Sequence, residues 1–304
     1  MIWAANFLKF ILLAILFIQS PAYSRVKHKK SKTMPAALIY DASSRKVLYA
    51  HNINRRIHPA SLTKMMTVYI AFERLQKRRL SLEDEITVSN HAANAKPCKL
   101  GLQAGETITV KEAILATIIK SANDAARAIA DEIGGSERKF VYIMNSKARA
   151  LGMRNTVFRN ASGWHDPRQT TTAVDLLKLA IALRRDFPEY YPMFALTSFM
   201  FKDKEYQGHN HVVKNYVGAE GMKTGYISAS GYNLVTAAKR GNKRLIGVVI
   251  GGKTAKERDS RMVALLNKYF STPKTFVKAV KSKSKSTSKK IITSVATPKV
   301  DKVA

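Results

Sequence analysis

Cysteine is almost missing from this chain of 304 residues. With Cys98 alone, no intramolecular disulfide can form and no metal cluster can be built from cysteines. Burial is the expectation for that lone thiol. Negative charge is also scarce, since 52 Lys and Arg face 21 Asp and Glu for a net +31. Such a surface suits an anionic partner: nucleic acid, acidic lipid or cell-wall polymer. Composition alone does not choose among them. No apolar run reaches membrane-spanning length, the longest being residues 10–18. No serine lies in a G-x-S-x-G elbow, so His58, His165 and His209 have no such nucleophile to serve in a Ser-His-Asp triad.

What is present begins at the N-terminus. Lys9 precedes the short apolar run, which closes on Pro21-Ala22-Tyr23-Ser24 before the basic Arg25-Val26-Lys27-His28-Lys29-Lys30. That order is expected of a secretory signal peptide over 1–24, followed by a basic linker over 25–34. Export would remove nucleic acid as a partner. At the other end, lysines alternate with Ser and Thr over 271–304, the composition of a solvated, disordered tail. Between them lies enough apolar sequence, 46% over the whole chain, for a sizeable core.

Two strand-like clusters bracket a helical middle. Ala36–Tyr40 and Lys46–Ala50 flank a turn, and Gly221–Tyr226, Tyr232–Ala238 and Arg244–Ile250 read as three antiparallel strands with Gly241-Asn242 turning the last pair. Helical spacing is expected over Leu62–Leu75, Lys111–Ile119, Asp124–Ile133, Glu137–Ala150, Leu176–Arg184 and Met262–Phe270. Ser136 is placed as an N-cap, and Thr172 through Asp175 as a capping box. The two ends should meet in one antiparallel sheet flanked by helices, an α+β catalytic domain over 35–270.

Three short motifs carry the chemistry. Ser61-Leu62-Thr63-Lys64 places an amine one helical turn after a hydroxyl. A serine needs a base, and lysine serves only if burial or a neighbouring cation lowers its proton affinity. Lys223 is the candidate cation, with Met65 and Met66 part of the apolar setting. The S-x-x-K spacing alone is uninformative, because Ser43, Ser136 and Ser271 also have lysine three residues on. Ser121-Ala122-Asn123 is the chain's one S-x-N and falls between two helices. There Ser121 can relay a proton, while Asn123 can hold Lys64 and bind a substrate amide. Lys223-Thr224-Gly225, ahead of Tyr226 on a strand, offers a cation, a hydroxyl for a carboxylate, and room for substrate to add as a strand. The N–H groups of Ser61 and Tyr226 would form an oxyanion hole.

In this order the motifs resemble the low-molecular-mass penicillin-binding proteins, specifically the D-alanyl-D-alanine carboxypeptidases of the serine peptidase S11 type, over about residues 35–270. Further runs carry the resemblance: His58 to Met66, Lys120 to Ala126, Phe158 to Gly163, Gly231 to Val235, and Gly251-Gly252. It implies a β-lactamase/transpeptidase-like fold with a helical subdomain. It also implies Ser61 as acyl-enzyme nucleophile, Lys64 as base, and Ser121, Asn123 and Lys223 as partners. Thr224 and Arg258 would hold the terminal carboxylate of a peptidoglycan stem peptide, and β-lactams would acylate Ser61. No metal or organic cofactor is expected.

Certain features depart from that pattern. The better-known relatives carry a C-terminal β-rich domain ending in a membrane anchor, and the polar sequence after Phe270 is too short for it. The basic tail would instead meet anionic wall polymer or lipid electrostatically. Ala122 stands where many relatives have Gly or Asp, and His209-Asn210 where Arg-Asn is expected. No glutamate lies between Glu137 and Glu189, which argues against a class A β-lactamase. A D,D-endopeptidase cutting cross-links, and a catalytically weak wall-binding protein, remain the alternatives.

Overall fold

The computed structural model describes residues 35–271. The signal-peptide and linker assignments, and all of the tail after Ser271, lie outside the described residues. Strand β1 (Ala36–Asp41) and β2 (Lys46–His51) form the expected hairpin. Helix α1 (Lys64–Gln76) follows a 3₁₀ turn at Ala60–Thr63. Then come β3 (Glu85–Thr87), α2 (Asn90–Ala93), β4 (Thr107–Thr109) and α3 (Val110–Leu115). Helix α3 runs into a π-helical turn at Ala116–Lys120, where a regular helix was expected, and α4 (Asn123–Gly134) and α5 (Glu137–Ala150) follow. After α6 (Ala173–Asp186) a small hairpin, β5 (Ser198–Phe201) and β6 (Lys204–Gln207), leads to the short α7 (His211–Asn215). The chain ends in β7 (Ala219–Ile227), β8 (Gly231–Arg240), β9 (Lys243–Gly252) and α8 (Ala255–Ser271).

The five long strands form one antiparallel sheet in the order β2-β1-β9-β8-β7. First and last segments therefore pair directly, Leu38 opposite Val248. Alternation along the strands sends side chains to two covered faces. Ala37, Ile39, Leu234 and Val249 meet Met262 and Leu266 of α8, while Leu38, Val235, Val248 and Ile250 join the main helical core. A sheet covered on both faces needs near-continuous apolar strands, which is why β9 is buried from Leu245 to Gly252. Strand β7 is an edge, and the site lies along it.

Capping explains where the helices start. Ser136 Oγ accepts from Lys139 N as expected. Thr172 Oγ1 accepts from Asp175 N, but the Asp175 carboxylate does not close a capping box; it accepts from Asn155 N and Thr156 Oγ1 instead. Buried Asp124 accepts the N–H groups of Leu100, Gly101 and Leu102, tying the loop before β4 to the first turn of α4. Helix α8 starts two turns earlier than its apolar spacing indicates, so Arg258 lies in its first turns.

Candidate active site

Ser61 stands in the 3₁₀ turn that feeds α1, and Lys64 is the first residue of that helix. One turn of separation brings Lys64 Nζ to 3.2 Å from Ser61 Oγ. The amine is fully buried and makes two further contacts, 2.6 Å to Asn123 Oδ1 and 2.5 Å to the Ser162 carbonyl. Burial holds the Lys64 pKa well below the usual lysine range, and the Lys223 cation lowers it further.

Asn123 opens α4, and both hydrogens of its amide are taken by the carbonyls of Lys96 and Pro97, at 3.1 and 2.8 Å. Its orientation is thereby set, with Oδ1 on Lys64. One lone pair of Oδ1 is thus taken by the Lys64 amine and only the second is left over. Ser121 precedes it in the left-handed region, φ 62°, at the end of the π-helical turn. π-helical turns and left-handed non-glycine residues both concentrate at functional sites.

Lys223, buried on β7, reaches Ser121 Oγ at 2.9 Å and the Thr224 carbonyl at 3.1 Å. Burial brings its pKa down to about 7, opposed by Cys98 and assisted by Arg258. Gly225 is where β7 passes the turn that holds Ser61: a Cβ there would lie 3.2 Å from the backbone nitrogens of Ser61 and Leu62. Gly163 closes the other side. With φ +82°, its Cβ would lie 1.9 Å from the Ala60 carbonyl oxygen, so only glycine fits.

These groups share one cleft of about 460 Å³. Ser61, Ser121, Asn123, Thr224, Gly225, Tyr226 and Arg258 line it, and the two lysines lie buried beside it. Arg258 is ion-paired to Asp259 at 2.8 Å. All nine residues singled out from the motifs and their resemblance thus meet at a single place.

The profile of the D-alanyl-D-alanine carboxypeptidases, peptidase S11, matches residues 24–254. The chain belongs to this family. It is 37% identical over 243 residues to D-alanyl-D-alanine carboxypeptidase DacF of Bacillus subtilis, covering 78% of this chain and 62% of that one. Penicillin-binding protein 5 of Haemophilus influenzae has the same fold, with a TM-score of 0.74 and 33% identity over 78% of this chain and 71% of that one. Penicillin-binding protein D2 of Listeria monocytogenes, solved in an ampicillin-bound form, gives 0.66 at 28% identity over 76% of this chain and 95% of that one. The chain spans about three fifths to two thirds of the length of the first curated relatives it matches.

The reading of Cys98 is corrected by the fold. The thiol is exposed and lines the cleft; the residue is left-handed, φ 51°, just ahead of the segment that Asp124 holds. The Ser162 carbonyl was missed as a ligand of Lys64. Its only signal was the Ala161-Ser162-Gly163 run, where a Gly marks a close approach of two backbones. Trp164, next in the chain and 44% exposed on the cleft wall, was missed as well.

Proposed function

We propose that this protein is a serine D,D-carboxypeptidase that removes the terminal D-alanine from peptidoglycan stem peptides, and that β-lactams acylate the same serine. The observation that carries this reading is the set of partners around Lys64. A neutral amine has two hydrogens and one lone pair. Asn123 Oδ1 and the Ser162 carbonyl can only accept, so they take the two hydrogens. The lone pair is left facing Ser61 Oγ, ready to receive its proton.

In the first step Ser61 Oγ attacks the carbonyl of the penultimate D-alanine as Lys64 takes the hydroxyl proton. The oxyanion falls between the N–H groups of Ser61 and Tyr226, which the close passage of Gly225 brings together. The departing amine needs a proton, and Ser121 supplies one with Lys223 behind it. Water then hydrolyses the ester, again with Lys64 as base. The substrate lies along the open edge of β7, with its terminal carboxylate near Thr224 and Arg258. The N-terminal sequence supports a place outside the cytoplasm. The basic tail suits anionic wall polymer or lipid.

The test is to supply a pentapeptide stem and a cross-linked dimer to the same preparation and measure free D-alanine and released monomer. Free D-alanine from the pentapeptide as the faster product supports a carboxypeptidase. Faster cleavage of the dimer would replace this reading with an endopeptidase, and neither product would overturn both.

A further inference from the structure

Beyond the motifs, the cleft is lined by basic groups without an acid to match. His165, His209, His211 and Arg258 line it, and Lys223 lies just below, yet among the described residues no Asp or Glu lines the cleft itself. Among the described residues, the one carboxylate paired to any of these is Asp259, on Arg258.

His209 belongs to that set. It follows β6, stands one residue before the Asn210 cap of α7, and shares the cleft wall with Thr224. Among the described residues, the charged groups that act on it are basic: Lys120 from the π-helical turn, Lys223 from β7 and His211 from α7. Arg258 of α8 stands on the same cleft. An imidazolium among these cations is disfavoured until an anion arrives. A carboxylate placed at Thr224 reverses that balance, because it supplies the missing negative charge beside the ring.

We propose that His209 is a proton-linked contact for the substrate's terminal carboxylate, drawing a proton from solvent as the carboxylate enters beside Thr224. This rests on the carboxypeptidase assignment and adds a titratable member to the group that binds the leaving residue. Partial covering and the neighbouring cations hold the free ring's pKa below the usual histidine value. Binding of the carboxylate raises it. The sign follows: affinity is highest at low pH and declines as pH rises through the bound-state pKa of His209. Lys223, brought down to about 7, faces the same carboxylate and contributes a second proton-linked step at higher pH.

The experiment uses the Ser61→Ala protein, which binds without turning over, and an N-acylated D-alanyl-D-alanine dipeptide. Calorimetry in buffers of different ionisation enthalpy gives both affinity and protons taken up. Between pH 7.5 and 5.5 the affinity should rise about fivefold with His209 in place. Adding His209→Gln should flatten the part of that rise below pH 6.5 and reduce proton uptake there, leaving the Lys223 step. His209→Arg should bind tightly across the range with uptake reduced. The same peptide ending in D-alaninamide should show no His209-dependent change. If His209→Gln keeps the full rise and uptake below pH 6.5, or if the dipeptide fails to bind, the inference is overturned. Failure of the carboxypeptidase assignment would show separately, as no D-alanine release by the unsubstituted protein.

Discussion

Lys223 Nζ lies 2.9 Å from Ser121 Oγ, and the left-handed backbone of Ser121 presents that hydroxyl to the strand. The pair joins the helical part of the molecule to the edge of the sheet. It also separates two lysine roles: Lys64 has its polar contacts on Ser61, Asn123 and Ser162, whereas Lys223 has its on Ser121 and Thr224.

In the proposed mechanism, removing that hydroxyl interrupts the proton path to the leaving group while leaving Ser61 and Lys64 in contact. Ser121→Ala should slow penicillin acylation by about 100- to 10,000-fold. Its thermal midpoint should fall only modestly, since buried Lys223 loses one acceptor but keeps the Thr224 carbonyl. A second-order acylation constant near that of the parent protein would remove Ser121 from the relay.

The two lysines should give acylation a bell-shaped pH dependence. Lys64 must be neutral to act as base, so the rate rises with pH through its depressed pKa. Lys223 must keep its charge to donate toward Ser121, so the rate falls above about pH 7. Lys223→Arg should remove the alkaline limb and leave the acid limb in place. Penicillin acylation measured from pH 5 to 9 on both proteins checks this, and an alkaline limb that survives in the variant would contradict it.

Gly163 braces the nucleophile turn through a contact no side chain can share. Gly163→Ala combines a left-handed backbone with a methyl 1.9 Å from the Ala60 carbonyl oxygen. The backbone term alone costs about 1–3 kcal/mol. We expect a lower thermal midpoint together with a loss of acylation out of proportion to the unfolded fraction, because Ala60 and Ser61 must shift. Normal acylation by the folded fraction would show that the turn is not held from this side.

The central strands and the three motifs are legible in the sequence because they are local patterns. An edge strand holding Lys223, and a helix turn holding Ser61 and Lys64, follow from spacing. What escapes depends on backbone conformation that composition does not reveal. The β5–β6 hairpin turns at Lys202-Asp203, both left-handed at φ 47° and 57°, without the glycine that usually marks such a turn. Cys98 reads as a buried thiol because free cysteines are among the most buried residues. It is instead exposed, just ahead of a segment held by three N–H groups on Asp124, a residue about two dozen positions away. The Ser162 carbonyl is a backbone atom, invisible to any search for chemical side chains.

The central claim is that Ser61 is a nucleophile activated by Lys64. It is tested most directly by incubating the folded protein with a fluorescent penicillin and mapping the labelled peptide by mass spectrometry. A covalent adduct on Ser61, lost in both Ser61→Ala and Lys64→Gln, is the expected result. Label on another residue, or label that persists in Ser61→Ala, would contradict the account.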